Sequence, residues 1–393
     1  MITTGVSGRP WRASITPWGA VQPWDDQPTL DWFVAAEDRW HVPADEPSLR
    51  QRRVSGTAVV ETRVRVPSGD VIQRIASMAD GPGYTVIEIE NDSTAAVAVA
   101  FSHRDVRTER PIVDLPIEGL DLPDDAFVLP IGHRTTVRVA IAHDRSGDGQ
   151  LPALPAIAQV VSGWLTVTDR ASRFVLPEGE TGEAVALDVT ARRCELALGE
   201  MAHGETDPAG YAIGLGELVR MGERPDPWLP ELALAVERLA RTDGWMADAA
   251  FDAAARVLHV AGEHRALADL GRLVERRSVR AERPVARVDG VGLVPWLEQG
   301  LADRGRLLPD GIPTAWLGAN FEVYGVPVGP ASTISYAVRW HGERPAVLWE
   351  VTGPPVELTS PSLDPVWRTH EPTGETLWPP PAPLPTTDPG SFI

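Results

Sequence analysis

The periodicity of this chain changes partway along, and that change bounds the folds open to it. Between residues 56 and 200 apolar and polar residues alternate. Val60, Thr62, Val64 and Val66 are interleaved with Glu61, Arg63 and Arg65. Successive side chains of a strand point to opposite faces, so this run suits a strand with one wet face. Pro67-Ser68-Gly69-Asp70 then reads as a turn. The same texture predicts strands over residues 84–90, 95–101, 135–142, 160–168 and 184–189. Many short strands with turn residues between them predict an antiparallel β-sandwich over residues 56–206.

After Pro208 the period lengthens to that of a helix. A helix is expected over residues 211–221. Asp226-Pro227 reads as the start of another, with Asp as N-cap and Pro at the first helical position. Leu232, Val236 and Leu239 recur at helical spacing up to Gly244, and Ala247, Phe251, Ala254 and Leu258 up to Gly262. Leu267, Leu270 and Val274 continue the pattern over residues 264–279, and residues 296–304 make a shorter fifth candidate. Short connections predict antiparallel hairpins for three or four of these, within residues 207–305.

Strand character resumes from about residue 313, giving a C-terminal β segment over residues 306–378. Ile334, Tyr336, Val338 and Trp340 alternate with Ser335, Ala337 and Arg339, and residues 346–351 follow as a second strand. If the large side chains share a core face, Trp340 lies with Val347, Trp349 and Val351. That parity predicts a six-residue loop over residues 341–346, with Trp340 opposite Val347 and Arg339 sharing the other face with Glu350. His341 and Glu343 would then project in the loop. The fold class expected is α+β: a sandwich, helical hairpins and a terminal β-hairpin segment. The Pro-rich residues 379–393 read as a disordered tail.

Tryptophan supplies a second constraint. Trp11, Trp18, Trp24, Trp32 and Trp40 crowd the first forty residues, and Trp316, Trp340, Trp349, Trp367 and Trp378 the last eighty. An indole either fills a core or offers a stacking face to a ligand. Two clusters at the ends predict that residues 1–55, read as an irregular Trp/Pro-rich arm, pack on the C-terminal segment.

The formal charge is −19, from 36 basic and 55 acidic groups. Phosphate backbones and anionic lipid surfaces are repelled by such a balance, so nucleic acid and membrane partners are not expected. Every basic group but histidine is arginine, which excludes Schiff-base and P-loop lysines. Cys194 is the single cysteine, so no intrachain disulfide can form. The start of the chain lacks the basic and apolar regions of a signal peptide, and no run of about eighteen apolar residues occurs. A cytoplasmic protein is expected.

Known chemical motifs fare poorly. Asp144-Arg-Ser-Gly-Asp-Gly149 has the first oxygen donors of a calcium loop, but Pro152 and Pro155 stand where its ninth and twelfth positions should ligate. Gly214-Leu-Gly216 does not follow a strand, as a dinucleotide site requires. No Gly-x-Ser-x-Gly elbow, His-Glu-x-x-His or paired-cysteine spacing is present, and no metal or cofactor is expected. Glu88, Glu90 and Asp92 suit a solvated sheet face. Glu350 sits in an apolar run beside Trp349, close to Arg339, Trp340 and His341.

The order of parts, with Gly83-Tyr-Thr-Val-Ile-Glu-Ile-Glu-Asn-Asp-Ser93 inside the sandwich and helical hairpins after it, resembles the layout of glucoamylase-type glycoside hydrolases. The likeness covers residues 56–305. Such a barrel needs six hairpins and residues 209–305 supply two or three, so no catalytic residue transfers from that family. The segment Tyr336-Ala-Val-Arg-Trp-His-Gly-Glu-Arg-Pro-Ala-Val-Leu-Trp-Glu350 is similar to proteins of high-GC actinobacteria.

Three functions follow as expectations. One is saccharide binding, with Arg339, Trp340, His341, Glu343, Trp349 and Trp316 as contacts, because indole faces stack on sugars while arginines and carboxylates meet the hydroxyls. A second is a glycoside hydrolase using Glu350 with a second carboxylate, Glu217 or Asp248. The third is a noncatalytic scaffold in which every indole is core.

Overall fold

A computed structural model describes residues 1–24, 27–112, 118–143, 150–277 and 280–381. The Asp144–Gly149 motif and residues 382–393 of the Pro-rich tail therefore lie outside the described residues. The structure is α+β, with several antiparallel sheets and seven α-helices among the described residues. Two compact units divide it: residues 1–166 with 194–200, and residues 167–193 with 201 onward.

In the first unit a six-stranded sheet runs in the order Arg107–Thr108, Thr136–Ala142, Tyr84–Asn91, Gly69–Met78, Val60–Val66, Arg50–Arg53. Register gives the two faces opposite characters. Val60, Ile75, Ile87 and Val139 form one row across four strands. These share a core with Trp32, Val34, Val99, Phe101, Phe127 and Leu129 from a four-stranded sheet, completing a sandwich. One residue along, on the other face, Arg52, Glu61, Arg74, Glu88 and Arg138 form a row of alternating charge. Arg52 and Arg74 donate to Glu61 at 3.0 and 2.9 Å, and Arg138 to Glu88 at 2.8 Å. Opposite charges facing each other across strands stabilise the pairing, and a slip of one residue would turn the whole row into the core.

Further along that face the residues become apolar, as Ala76, Met78, Tyr84, Val86, Ala140 and Ala142. They pack with Ile157 and Trp164 of helix α1 (Ile157–Thr168) and with Cys194 and Leu198, Cys194 lying in helix α2 (Glu183–Ala197). Strands were expected over residues 160–168 and 184–189, and both are helical. Val185 and Val189 are buried one turn apart while Leu187 between them is 38% exposed, so the apparent period of two is a helical stripe read too short. Residues 1–55 likewise correct the expected irregular arm. They hold strands Ile2–Gly5, Arg12–Ile15, Val21–Pro23, Trp32–Ala35, Trp40–His41 and Arg50–Arg53. Trp32 is buried in this unit's core, its Nε1 donating to the Trp18 carbonyl at 2.9 Å.

In the second unit, helices α3 (Pro208–Met221), α4 (Leu229–Leu239), α5 (Trp245–Val260) and α6 (His264–Glu275) share one core. Asp207 caps α3 by accepting from the Gly210 amide, and Gly222 ends it at φ 114°. α3 and α5 approach closely: a Cβ on Gly216 would stand 3.0 Å from the Ala253 Cβ. That contact accounts for the glycine without a nucleotide. A five-stranded antiparallel sheet runs in the order Arg173–Val175, Phe321–Pro327, Thr333–His341, Arg344–Thr352, Thr373–Leu377. Its inner face shares a core with α7 (Leu293–Leu301), Trp316 and Trp378. A small four-stranded sheet completes the unit. Trp32 of the amino-terminal cluster and Trp316, Trp349 and Trp378 of the carboxy-terminal one are each buried within their own unit, whereas Trp18 and Trp24 are exposed.

Replacing Trp32 by Ala should cost about 3–5 kcal/mol, the range for emptying a buried aromatic site. Denaturant unfolding checks this, and a loss below about 1 kcal/mol would show that the indole is not a core element.

Candidate functional site

The hairpin proposed as a binding surface is built differently from its sequence-based expectation. Gly342 and Glu343 form a two-residue turn, with His341 opposite Arg344 and Trp340 opposite Pro345. The expected six-residue loop is absent because Gly342, at φ 63°, takes the left-handed conformation that a tight turn needs at its first central position. Parity survives the correction. Trp340 and Trp349 share a face, with Trp349 opposite Tyr336, and Arg339 and Glu350 share the other. They do not pair, however: Arg339 is opposite Ala346, Glu350 is opposite Ser335, and the Arg339 guanidinium binds Glu322 on the neighbouring strand.

The other candidate contacts scatter. Trp316 is buried edge-on against Phe321, and Trp349 edge-on against Trp367 with its Nε1 donating to the Glu371 carbonyl. Neither ring presents a free face. Trp340 is half-buried and donates to the Ala319 carbonyl at 2.8 Å, while His341 and Glu343 are exposed at the turn. Glu350 is exposed on the sheet's outer face. Asp248 is buried, its Oδ2 accepting from the Ala281 amide at 2.8 Å.

Glu217 lies at the centre of a buried charge cluster that sequence reasoning glimpsed only in part. α3 carries Glu217 and Arg220 three residues apart, so one helical face presents both. Arg193 of α2 donates from Nε to Glu217 at 2.8 Å and from Nη1 to the Ser172 carbonyl at 2.7 Å. Glu298 of α7 accepts from Arg220 at 2.8 Å, from the Ser172 hydroxyl at 2.8 Å and from Arg193 at 3.3 Å. Burial alone would raise the Glu217 carboxyl, but the charges of Arg220 and Arg193 outweigh it and hold the group well below the usual carboxylate range. A general acid needs the opposite shift. Glu217 ties α2 to α3 through Arg193 and Arg220.

Beside this cluster α5, α6, α7 and the segment 327–330 enclose a cavity of about 420 Å³. Phe251, Leu267, Leu270, Val274 and Val328 give it a carbon wall, and Asp252, Arg256, Glu298 and Asp303 bring charge to it. Asp252 accepts from Arg280 and Arg304, the latter at 2.9 Å, and Asp303 pairs with Arg306. None of Glu217, Asp248 or Glu350 lines the cavity. Arg256 does, and the sequence barely marks it. Asp252 and Arg256 read as an ordinary surface pair four residues apart on a helix. The single hint is that Arg256 adjoins the buried stripe of Ala249, Ala253 and Val257.

Among the described residues no group of three or more His, Cys, Asp or Glu side chains could hold a metal ion. No helix among them is long and apolar enough to cross a membrane. No known family model matches this chain, and no curated protein is significantly similar to it.

Glu217→Gln should destabilise the protein by about 3–5 kcal/mol, since it leaves two buried arginines short of a counter-charge. The pH dependence follows from the depressed Glu217 carboxyl. Its contribution is fully present above the ordinary carboxylate range and is lost as pH falls toward the lower folded value. Urea titrations at pH 7 and pH 3.5 check both: the variant should lose less stability on acidification than the parent, and equal losses would refute the assignment.

Proposed function

We propose that the protein is a small-molecule-binding protein whose ligand occupies the cavity of the second unit. The observation that supports this is the cavity itself. Its volume of about 420 Å³ falls in the range of ligand sites, and it joins an apolar wall to a few convergent charged groups. The charged cluster behind the wall fixes α2, α3 and α7, so the site is formed before a ligand arrives. Cys194 is buried and outside any disulfide, which accords with a reducing compartment, and we propose a cytoplasmic location.

A saccharide is the second reading, and it rests on the first unit. Trp24 is 56% and Trp18 37% exposed, and the Trp24 ring is anchored by donation from Nε1 to the Ser14 hydroxyl at 2.8 Å. An anchored, exposed indole suits stacking on a sugar. Fluorescence titration with oligosaccharides should then shift emission in the parent and not in Trp24→Ala; identical responses would remove this reading.

For the cavity the test is a substitution that fills it. Gly271 lines it from α6, and a Cβ built there meets nothing within 4 Å. Gly271→Leu should therefore fold, gain up to about 1 kcal/mol of helix propensity and abolish binding. Calorimetry against small amphipathic compounds reads the result. Unchanged binding by the filled variant would sink the cavity as the site.

A further inference from the structure

The wall of the cavity carries an unbalanced charge. Three arginines, Arg193, Arg220 and Arg256, belong to one enclosed group with two carboxylates, Glu217 and Glu298. Arg193 and Arg220 take up both carboxylates. Arg256 is left over: its Nε is enclosed with no acceptor, and its guanidinium forms no hydrogen bond or ion pair with any described residue. The remaining acids at the wall are engaged elsewhere, Asp252 by Arg280 and Arg304 and Asp303 by Arg306. Glu275 is exposed.

An arginine keeps its charge at neutral pH whatever its surroundings. Burial and the like charge of Arg220 outweigh the attraction of Glu298, Asp252 and Glu217, so the charged form of Arg256 is disfavoured. Buried charges are ordinarily paired, and leaving one unpaired is costly. Arg256 itself is half-buried and reaches the cavity, so a ligand that displaces water from the cavity has to supply the partner that the protein does not.

We propose that the ligand is an organic carboxylate, with its anionic head on Arg256 and its apolar body against Phe251, Leu267, Leu270 and Val274. This rests on the cavity being the ligand site. A guanidinium fork matches a carboxylate in plane and can donate to both its oxygens. A neutral ligand of the same shape would leave the charge uncompensated, and a cation would add to it. Arg256 thus sets specificity by charge, and the carbon wall selects the body.

Three isosteric probes test this on the full chain: 4-phenylbutyrate, 4-phenylbutan-1-ol and 4-phenylbutylamine, titrated by calorimetry at pH 7.4. The carboxylate should bind roughly tenfold or more tighter than the alcohol, as a charge-assisted hydrogen bond implies, with the amine weakest. In Arg256→Met the carboxylate and alcohol affinities should converge. Equal affinities in the parent, or a preference that survives in Arg256→Met, would overturn the carboxylate assignment and leave the cavity reading standing. Binding of no probe, or equal binding by Gly271→Leu, would overturn both. A measurement without ligand supports the test: removing an unpaired buried charge should raise the melting temperature of Arg256→Met by about 2–4 °C. A fall instead would mean that Arg256 has a structural partner, and the proposal would fail.

Discussion

The pairing of Glu217 and Glu298 with Arg193 and Arg220 is the constraint on which the second unit depends. Each guanidinium reaches two acids at once, so residues from α2, α3 and α7 and the entry to the strand Arg173–Val175 are fixed by one set of contacts. Buried ion pairs are poor sources of net stability, because desolvation offsets most of the attraction. Their effect here is positional. Apolar side chains at these sites could pack in several ways, whereas charges out of water must find one another. The cavity stands next to this rigid group, which explains how a void can persist there without collapse.

Composition and structure meet in the choice of arginine. Arg74 donates to both Glu61 and Glu90 on the sheet of the first unit, and Arg220 bridges Glu217 and Glu298 in the second. A lysine ammonium is a compact point charge and holds such a pair of acids less well than a planar fork does. With the acids in large excess, a bridging cation is needed wherever two carboxylates come near each other. A chain without lysine is well supplied for that geometry.

Much of the fold was legible where a pattern ran long enough. Strands around Val60–Val66 and Tyr84–Asn91 and the helices carrying Leu232, Phe251 and Leu270 follow from periodicity alone. Helices α1 and α2 did not, because Val160, Val161, Val167 and Thr168 have strand propensity, and packing of Ile157 and Trp164 on an apolar sheet face overrides it. The amino-terminal strands escaped notice because runs of three or four residues broken by Pro and Gly are too short to show a period. At the site the sequence offered Glu217 only as a possible second carboxylate beside Glu350, and its partner Arg193 comes from another helix. Arg256 was barely legible, since no sequence property of an arginine reveals that its neighbours' acids are already engaged.

The chain enters the second unit within α1 and comes back to the first only for residues 194–200. Cys194 and Leu198 belong to the core formed by Ala76, Tyr84, Val86 and Trp164. During synthesis, therefore, the sandwich can assemble its sheets early with Ile157 and Trp164 already on that face, but the part that Cys194 and Leu198 cover stays open until residues 167–193 have also been made. Those residues cannot settle into their own unit at that moment, since α3, α5 and α7 are still to come. A newly made chain must hold that segment unpaired for a time, and the apolar patch it leaves open is the point at which a chaperone would have most to do.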